Sequence, residues 1–95
     1  MIKHMIMIKL NDNSEEKIKE VKDKLLSMDG KVPMISGLEV LADFLHSDRS
    51  YDVFLSAVVA DEKALDDYQN DPYHCEIKAY IKTVAKSVIA LDAVM

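Results

Sequence analysis

The chain has 95 residues, 12 Lys+Arg against 17 Asp+Glu, a formal net charge of −5 and an apolar content of 49%. This length predicts one domain over residues 1–95, with a thin core that buries only roughly 60–65% of the unfolded surface, and the acidic balance argues against nucleic acid as a partner. A lone cysteine, Cys75, excludes an intrachain disulfide and a zinc knuckle and suits a reducing, cytoplasmic location.

Gly30 and Gly37 are the only glycines, too few for a glycine-rich phosphate loop. No apolar run approaches the roughly 18 residues that span a bilayer, so no membrane association is expected. The opening MIKHMIMIKL alternates and carries Lys3 and Lys9, which is not the pattern of a signal peptide.

Residues 2–10 alternate with period two and predict a strand. His4, Ile6, Ile8 and Leu10 share one face; Met5 and Met7 lie on the other. The segment NDNSEEKIKEVKDKLLSM predicts a helix, with Asn13 as N-cap, Glu16 completing a capping box, and Ile18, Val21, Leu25 and Met28 as its buried stripe. Glu20 and Lys24 are spaced for an i,i+4 ion pair. Gly30 and Pro33 end the helix and open a loop. Strands follow at 37–45, where Leu38 and Val40 alternate with Leu41, and at 51–60, where Val53, Leu55, Ala57 and Val59 alternate with Phe54, Ser56 and Val58. The second of these is apolar on both faces and belongs at the sheet centre. Asp61 caps a helix through Gln69, and Asp71-Pro72 stops it and starts another that runs to about Lys86. Ser87–Met95 is the last strand, with Val88 on one face and Ile89 and Leu91 on the other.

The order strand, helix, strand, strand, helix, strand predicts an α+β, ferredoxin-like βαββαβ sandwich. It has one antiparallel four-stranded sheet with its helices on one face. The uncovered face would expose Met5, Met7, Leu41, Phe54, Val58, Ile89 and Leu91, which is too much apolar surface for a monomer. A homodimer packed sheet to sheet is therefore expected.

His4, His46 and His74 have no metal-ligand spacing, and neither a metal nor a cofactor is expected. His74 falls in the first turn of its helix on the stripe with Ile77 and Ile81. Burial and the positive helix end both favour a neutral ring there. Tyr68 precedes it across the Asp71-Pro72 break, so a phenol and an imidazole can converge on one cavity as acid and base. The bland alternative is a helix-break histidine hydrogen-bonded to backbone beside a core tyrosine. The same applies to His4 on its inward strand face, while His46 in the loop HSDRS reads as solvated. The expected apolar cavity walls are Ile6, Ile8, Leu38, Val53, Leu55, Ile77 and Val88.

IKHMIMIKL, the Pro33-centred loop, HSDRSYDVFL (46–55), ALDDYQNDPYHCEIKAYI (64–81) and VIALD together resemble the stress-responsive dimeric A/B barrel (Dabb) proteins. The combination of Lys3-His4 with the Y-x-x-x-P-x-H of Tyr68, Pro72 and His74 carries the resemblance. It implies a dimeric α+β barrel. It also implies, from a plant polyketide cyclase branch, cofactor-free aldol chemistry by the tyrosine and histidine at Tyr68 and His74, with His4 lining the same cavity. That cyclase has a further cavity histidine where this chain has Val53, and a cavity tyrosine where this chain has Leu25. Three functions stay open: a small apolar or polyketide-like molecule turned over by a cyclase or lyase, a non-catalytic stress-response or ligand-sequestering dimer, and a cofactor-independent monooxygenase-like barrel.

Overall fold

The computed structural model describes residues 1–95. The elements run β1 (Ile2–Leu10), α1 (Glu15–Leu26), β2 (Gly37–Ala42), β3 (Val53–Val59), α2 (Glu62–Asn70), α3 (Pro72–Val84) and β4 (Ala85–Val94). The strands form one antiparallel sheet in the order β2-β3-β1-β4. This is the ferredoxin-like arrangement, with the second helical segment broken into α2 and α3.

Strand register explains the two faces. One row across the sheet is Val40, Leu55, Ile6 and Ala90; the adjacent row is Leu41, Phe54, Met7 and Ile89. Neighbouring rows point to opposite sides because side chains alternate. On the first side, Ile8, Leu55, Ala57 and Val59 pack in one buried cluster with Val21, Leu25, Met28 and Ile77 of the helical layer. On the other side Leu41 is 52% exposed, Ile89 48% and Leu91 62%, while Met5, Phe54 and Val58 are half-buried. A shallow depression of about 240 Å³ lies there among Met5, Met7, Phe54, Ile89 and Leu91.

Several local expectations shift. The N-cap of α1 is Ser14, which accepts the amide of Lys17, rather than Asn13, whose side-chain amide turns toward Asp52. Glu20 pairs with Lys17 at 3.1 Å and takes the hydroxyl of Tyr80, so the expected partner Lys24 is left to lie over the Tyr80 ring. β2 stops at Ala42 instead of continuing to Leu45. Beyond it, the Asp43 carboxylate accepts the amide of His46, whose φ of 52° turns the chain away and leaves Phe44 88% exposed. β3 is likewise trimmed at both ends, and β4 begins two residues earlier than expected because α3 ends at Val84.

Asp52 closes the far end of the sheet. Its buried carboxylate accepts the Leu10 amide at 2.7 Å, and it lies 3.9 Å from the His46 ring. His46 is exposed, as expected, and its ring lies 3.6 Å from the Asp43 carboxylate and 3.9 Å from that of Asp52.

Candidate active site

The corner between α2 and α3 is built by one residue. The Asp71 amide donates to the carbonyl of Tyr68 at 3.3 Å and closes α2. Its carboxylate accepts the His74 amide at 3.0 Å and opens α3, with Pro72 at the first helical position. A short polar side chain followed by proline suits this double role, since one satisfies an orphan amide and the other has none to satisfy. The result is that Tyr68 and His74 face each other, with ring centroids 4.0 Å apart and planes tilted by 35°.

His4 joins them from β1. Its ring meets the Tyr68 ring edge-on at 5.5 Å. Strand register sets Asp92 of β4 directly across from His4, and the two side chains hydrogen-bond through Nδ1 and Oδ1. Asp92 was not among the expected site residues. The alternation that puts Val88 and Ala90 on the helical side puts Asp92 there too, but its pairing with His4 depends on a register that spacing along the chain does not give.

These side chains line a cavity of about 260 Å³ between the sheet and α1, α2 and α3. Of the expected walls, Ile6, Leu25, Leu55, Ile77 and Val88 line it with His4, Tyr68 and His74. Ile8 and Val53 do not: both are buried on the same face but at the end of the sheet where the Asp52 amide donates to the Ile8 carbonyl, away from the cavity. Leu38, on β2, packs partly buried against the core and also stays outside the cavity. Met28, Gln69, Lys78, Ile81 and Lys82 complete the lining. Their signal was present in part, since Lys78 and Lys82 follow His74 at successive intervals of four on one helix.

The electrostatics separate the two ring groups. Burial lowers the His74 pKa to about 4, the nearby charge of Lys78 and His4 add to this, and the Gln69 backbone and Asp71 pull partly the other way. Burial, with the Asp92 charge behind it, pushes the Tyr68 phenol well above its usual range. At neutral pH the site therefore holds a neutral imidazole beside a protonated phenol, one able to take a proton and the other to give one. His74 Nδ1 is buried with no hydrogen-bond partner. No group of three or more His, Cys, Asp or Glu side chains is placed to hold a metal ion, and no helix is long and apolar enough to cross a membrane.

No curated protein matches the chain. Among solved structures, a dimeric ferredoxin-like protein of unknown function from Thermobifida fusca is similar at a TM-score of 0.86 and 21% identity, over 99% of this chain and 90% of that one. A protein from Arabidopsis thaliana is similar at a TM-score of 0.85 and 17% identity, over 100% and 95% of the two chains. A hydroxynitrile lyase from Passiflora edulis is similar at a TM-score of 0.84 and 10% identity, over 99% and 92%. At these identities the likeness is one of fold. Residues 2–95 match the family model described as the stress responsive A/B barrel domain, Dabb. The chain, with its ferredoxin-like sheet and its Tyr68–His74 corner, belongs to the Dabb stress responsive A/B barrel domain family.

Proposed function

We propose that this protein is a homodimer that binds a small apolar carbonyl compound in the cavity and acts on it by cofactor-free proton transfer, as a lyase or cyclase. One observation carries the reading: the buried Tyr68–His74 pair at the cavity wall, in which His74 Nδ1 has no partner. His74 takes the proton next to the carbonyl, and Tyr68 donates to the oxygen on which charge develops. His4, held by Asp92, fixes the far side of Tyr68.

The volume bounds the ligand. About 260 Å³ is just under the roughly 300–1,000 Å³ usual for drug-sized ligands, so the cavity suits a single ring or short chain better than a long poly-β-ketone. Relatives in fold described as dimeric, and the apolar open face of the sheet, support the homodimer. The Passiflora edulis hydroxynitrile lyase supports lyase chemistry on this scaffold.

A second reading is a dimer that sequesters its ligand without turnover. It draws on the same low proton affinity of His74, since a base near pKa 4 is a weak one at neutral pH. The test is hydrogen–deuterium exchange at the α-carbons of 4-phenyl-2-butanone, followed by NMR together with the protein's own histidine resonances. The expected result is exchange well above buffer, falling at least 100-fold in His74→Ala and Tyr68→Phe. Ligand-dependent shifts without exchange would favour sequestration. The absence of both would overturn the cavity reading.

A further inference from the structure

Acids outnumber bases in this chain by 17 to 12, yet the cavity wall contains Lys78 and Lys82, two histidines, and no aspartate or glutamate. Elsewhere on the helices Lys17 pairs with Glu20, Lys19 with Asp23 and Lys63 with Asp67, while Lys22 and Lys24 stay without an acid but lie outside this cavity. Lys78 and Lys82 form no salt bridge. The Lys78 ammonium donates at 3.1 Å to the Gln69 carbonyl, which leaves its charge uncompensated. Lys82 lies in the last turn of α3, where the helix dipole favours a cation, but that does not account for Lys78 in the middle of the helix. Two like charges at i,i+4 oppose each other, an arrangement a bound anion would relieve.

Geometry places these ammonium groups relative to the reactive pair. Lys78 and Lys82 follow His74 by one and two helical turns, roughly 6 and 12 Å along the axis. They flank the buried stripe of His74, Ile77 and Ile81 and stand where the cavity opens to solvent. An apolar floor, a proton-transfer pair at one end and unpaired cations at the mouth are the complement of a three-part molecule.

Resting on the reading of this cavity as a carbonyl site, we infer that its ligand is an apolar oxo acid. The carbonyl meets Tyr68 and His74, and the carboxylate is held at the mouth by Lys82 and Lys78. The assignment has a mechanistic corollary. The Lys78 charge disfavours protonation of His74, so a carboxylate that neutralises it makes His74 a better base only when the right ligand is bound.

The test is a matched pair, 5-oxo-5-phenylpentanoate and its primary amide, titrated into the wild-type protein at low ionic strength and followed through the His74 and Tyr68 resonances. The acid is expected to bind at least tenfold more tightly than the amide and to lose that advantage in high salt. Lys82→Glu, an exposed position, is expected to weaken the acid at least tenfold and to remove its advantage over the amide. Equal binding of acid and amide would overturn the assignment of the mouth and leave the carbonyl cavity standing. No shift with either compound would overturn both. Inorganic phosphate that displaces the acid as well as unlabelled acid does would overturn it too, because the lysines would then be reading charge alone.

Discussion

The two faces of the sheet start from similar material and end in different states. On the helical side, Ile8, Val53, Leu55 and Val59 are sealed, at 0–2% exposure, beneath Val21, Leu25 and Met28. On the open side, the row Leu41, Phe54, Met7 and Ile89 is as apolar, and Leu41, Met7 and Ile89 are exposed by about half. Sequence alternation builds both faces equally well; only chain connectivity decides which one the helices reach. The covered side can therefore tolerate a cavity with polar groups in it, because its stability comes from neighbours in the same chain. The open side offers an apolar centre of Met5, Met7, Phe54, Ile89 and Leu91 with Lys3, Lys9 and Glu39 around it, and that centre is useful when a second copy covers it.

The comparison breaks most visibly at Phe54. Phe54→Asp is expected to convert a dimer at micromolar concentration into a monomer and to lower its melting temperature, both measured on one sample by sedimentation and calorimetry. Each large side chain removed from water is worth about 1.5–3 kcal/mol and the substitution acts on both copies, so association should weaken on the order of 1,000-fold or more. A wild-type protein that is a stable monomer under those conditions would mean the open face needs no partner.

Leu25→Ala probes the covered side. It should cost about 2–5 kcal/mol in a urea melt, toward the lower end because Leu25 already borders the cavity, and leave sedimentation unchanged. Loss of the dimer in this variant would show that the faces are not independent.

The smallest expected effect is a pH dependence of the covered side. His74 titrates near 4 when folded and near 6.5 when unfolded. Its burial as a neutral ring is fully tolerated above pH 6.5. As pH falls from 6.5 to 4 the unfolded chain takes the proton first, and stability drops by on the order of 2 kcal/mol. His74→Gln should lack this component, so its stability difference from wild type should change between pH 7 and pH 4.5. A constant difference would mean that His74 is solvated when folded.

Much of this was legible in the chain. The period-two runs give the strands and both sheet faces, and Asp61, Asp71 and Pro72 give the helix starts as observed. What was not legible depends on groups distant in sequence. Asn13 and Ser14 are equally good caps by type, and Asp12 tips the choice by taking the Ser14 amide. Glu20 leaves Lys24 for Tyr80, sixty residues away, a contact no local rule contains. Strand alternation continues through Phe44 and Leu45, but side-chain bonds from Asp43 and Asp52 to backbone amides outcompete it. In the site, type and spacing allowed Tyr68 and His74 to converge but left a core reading open, and the family resemblance brought His4 to the same cavity; the three rings do lie together. Asp92 required the β1–β4 register, and the exclusion of Ile8, Leu38 and Val53 required knowing which end of the sheet the cavity occupies.

The corner at Asp71 has a consequence for how this scaffold can be re-engineered. Because one residue ends α2 and begins α3, the spacing between phenol and imidazole is a mechanical constant of the chain, with no loop to lengthen or relax. Inserting a single residue there would turn His74 by about 100° around its helix and destroy the pairing, whereas exchanging Leu25, Met28 or Ile81 would only recontour the space beside it. The reactive groups and the shape that selects their substrate are thus separable parts. A combinatorial library confined to the walls would sample new ligands without ever resampling the chemistry.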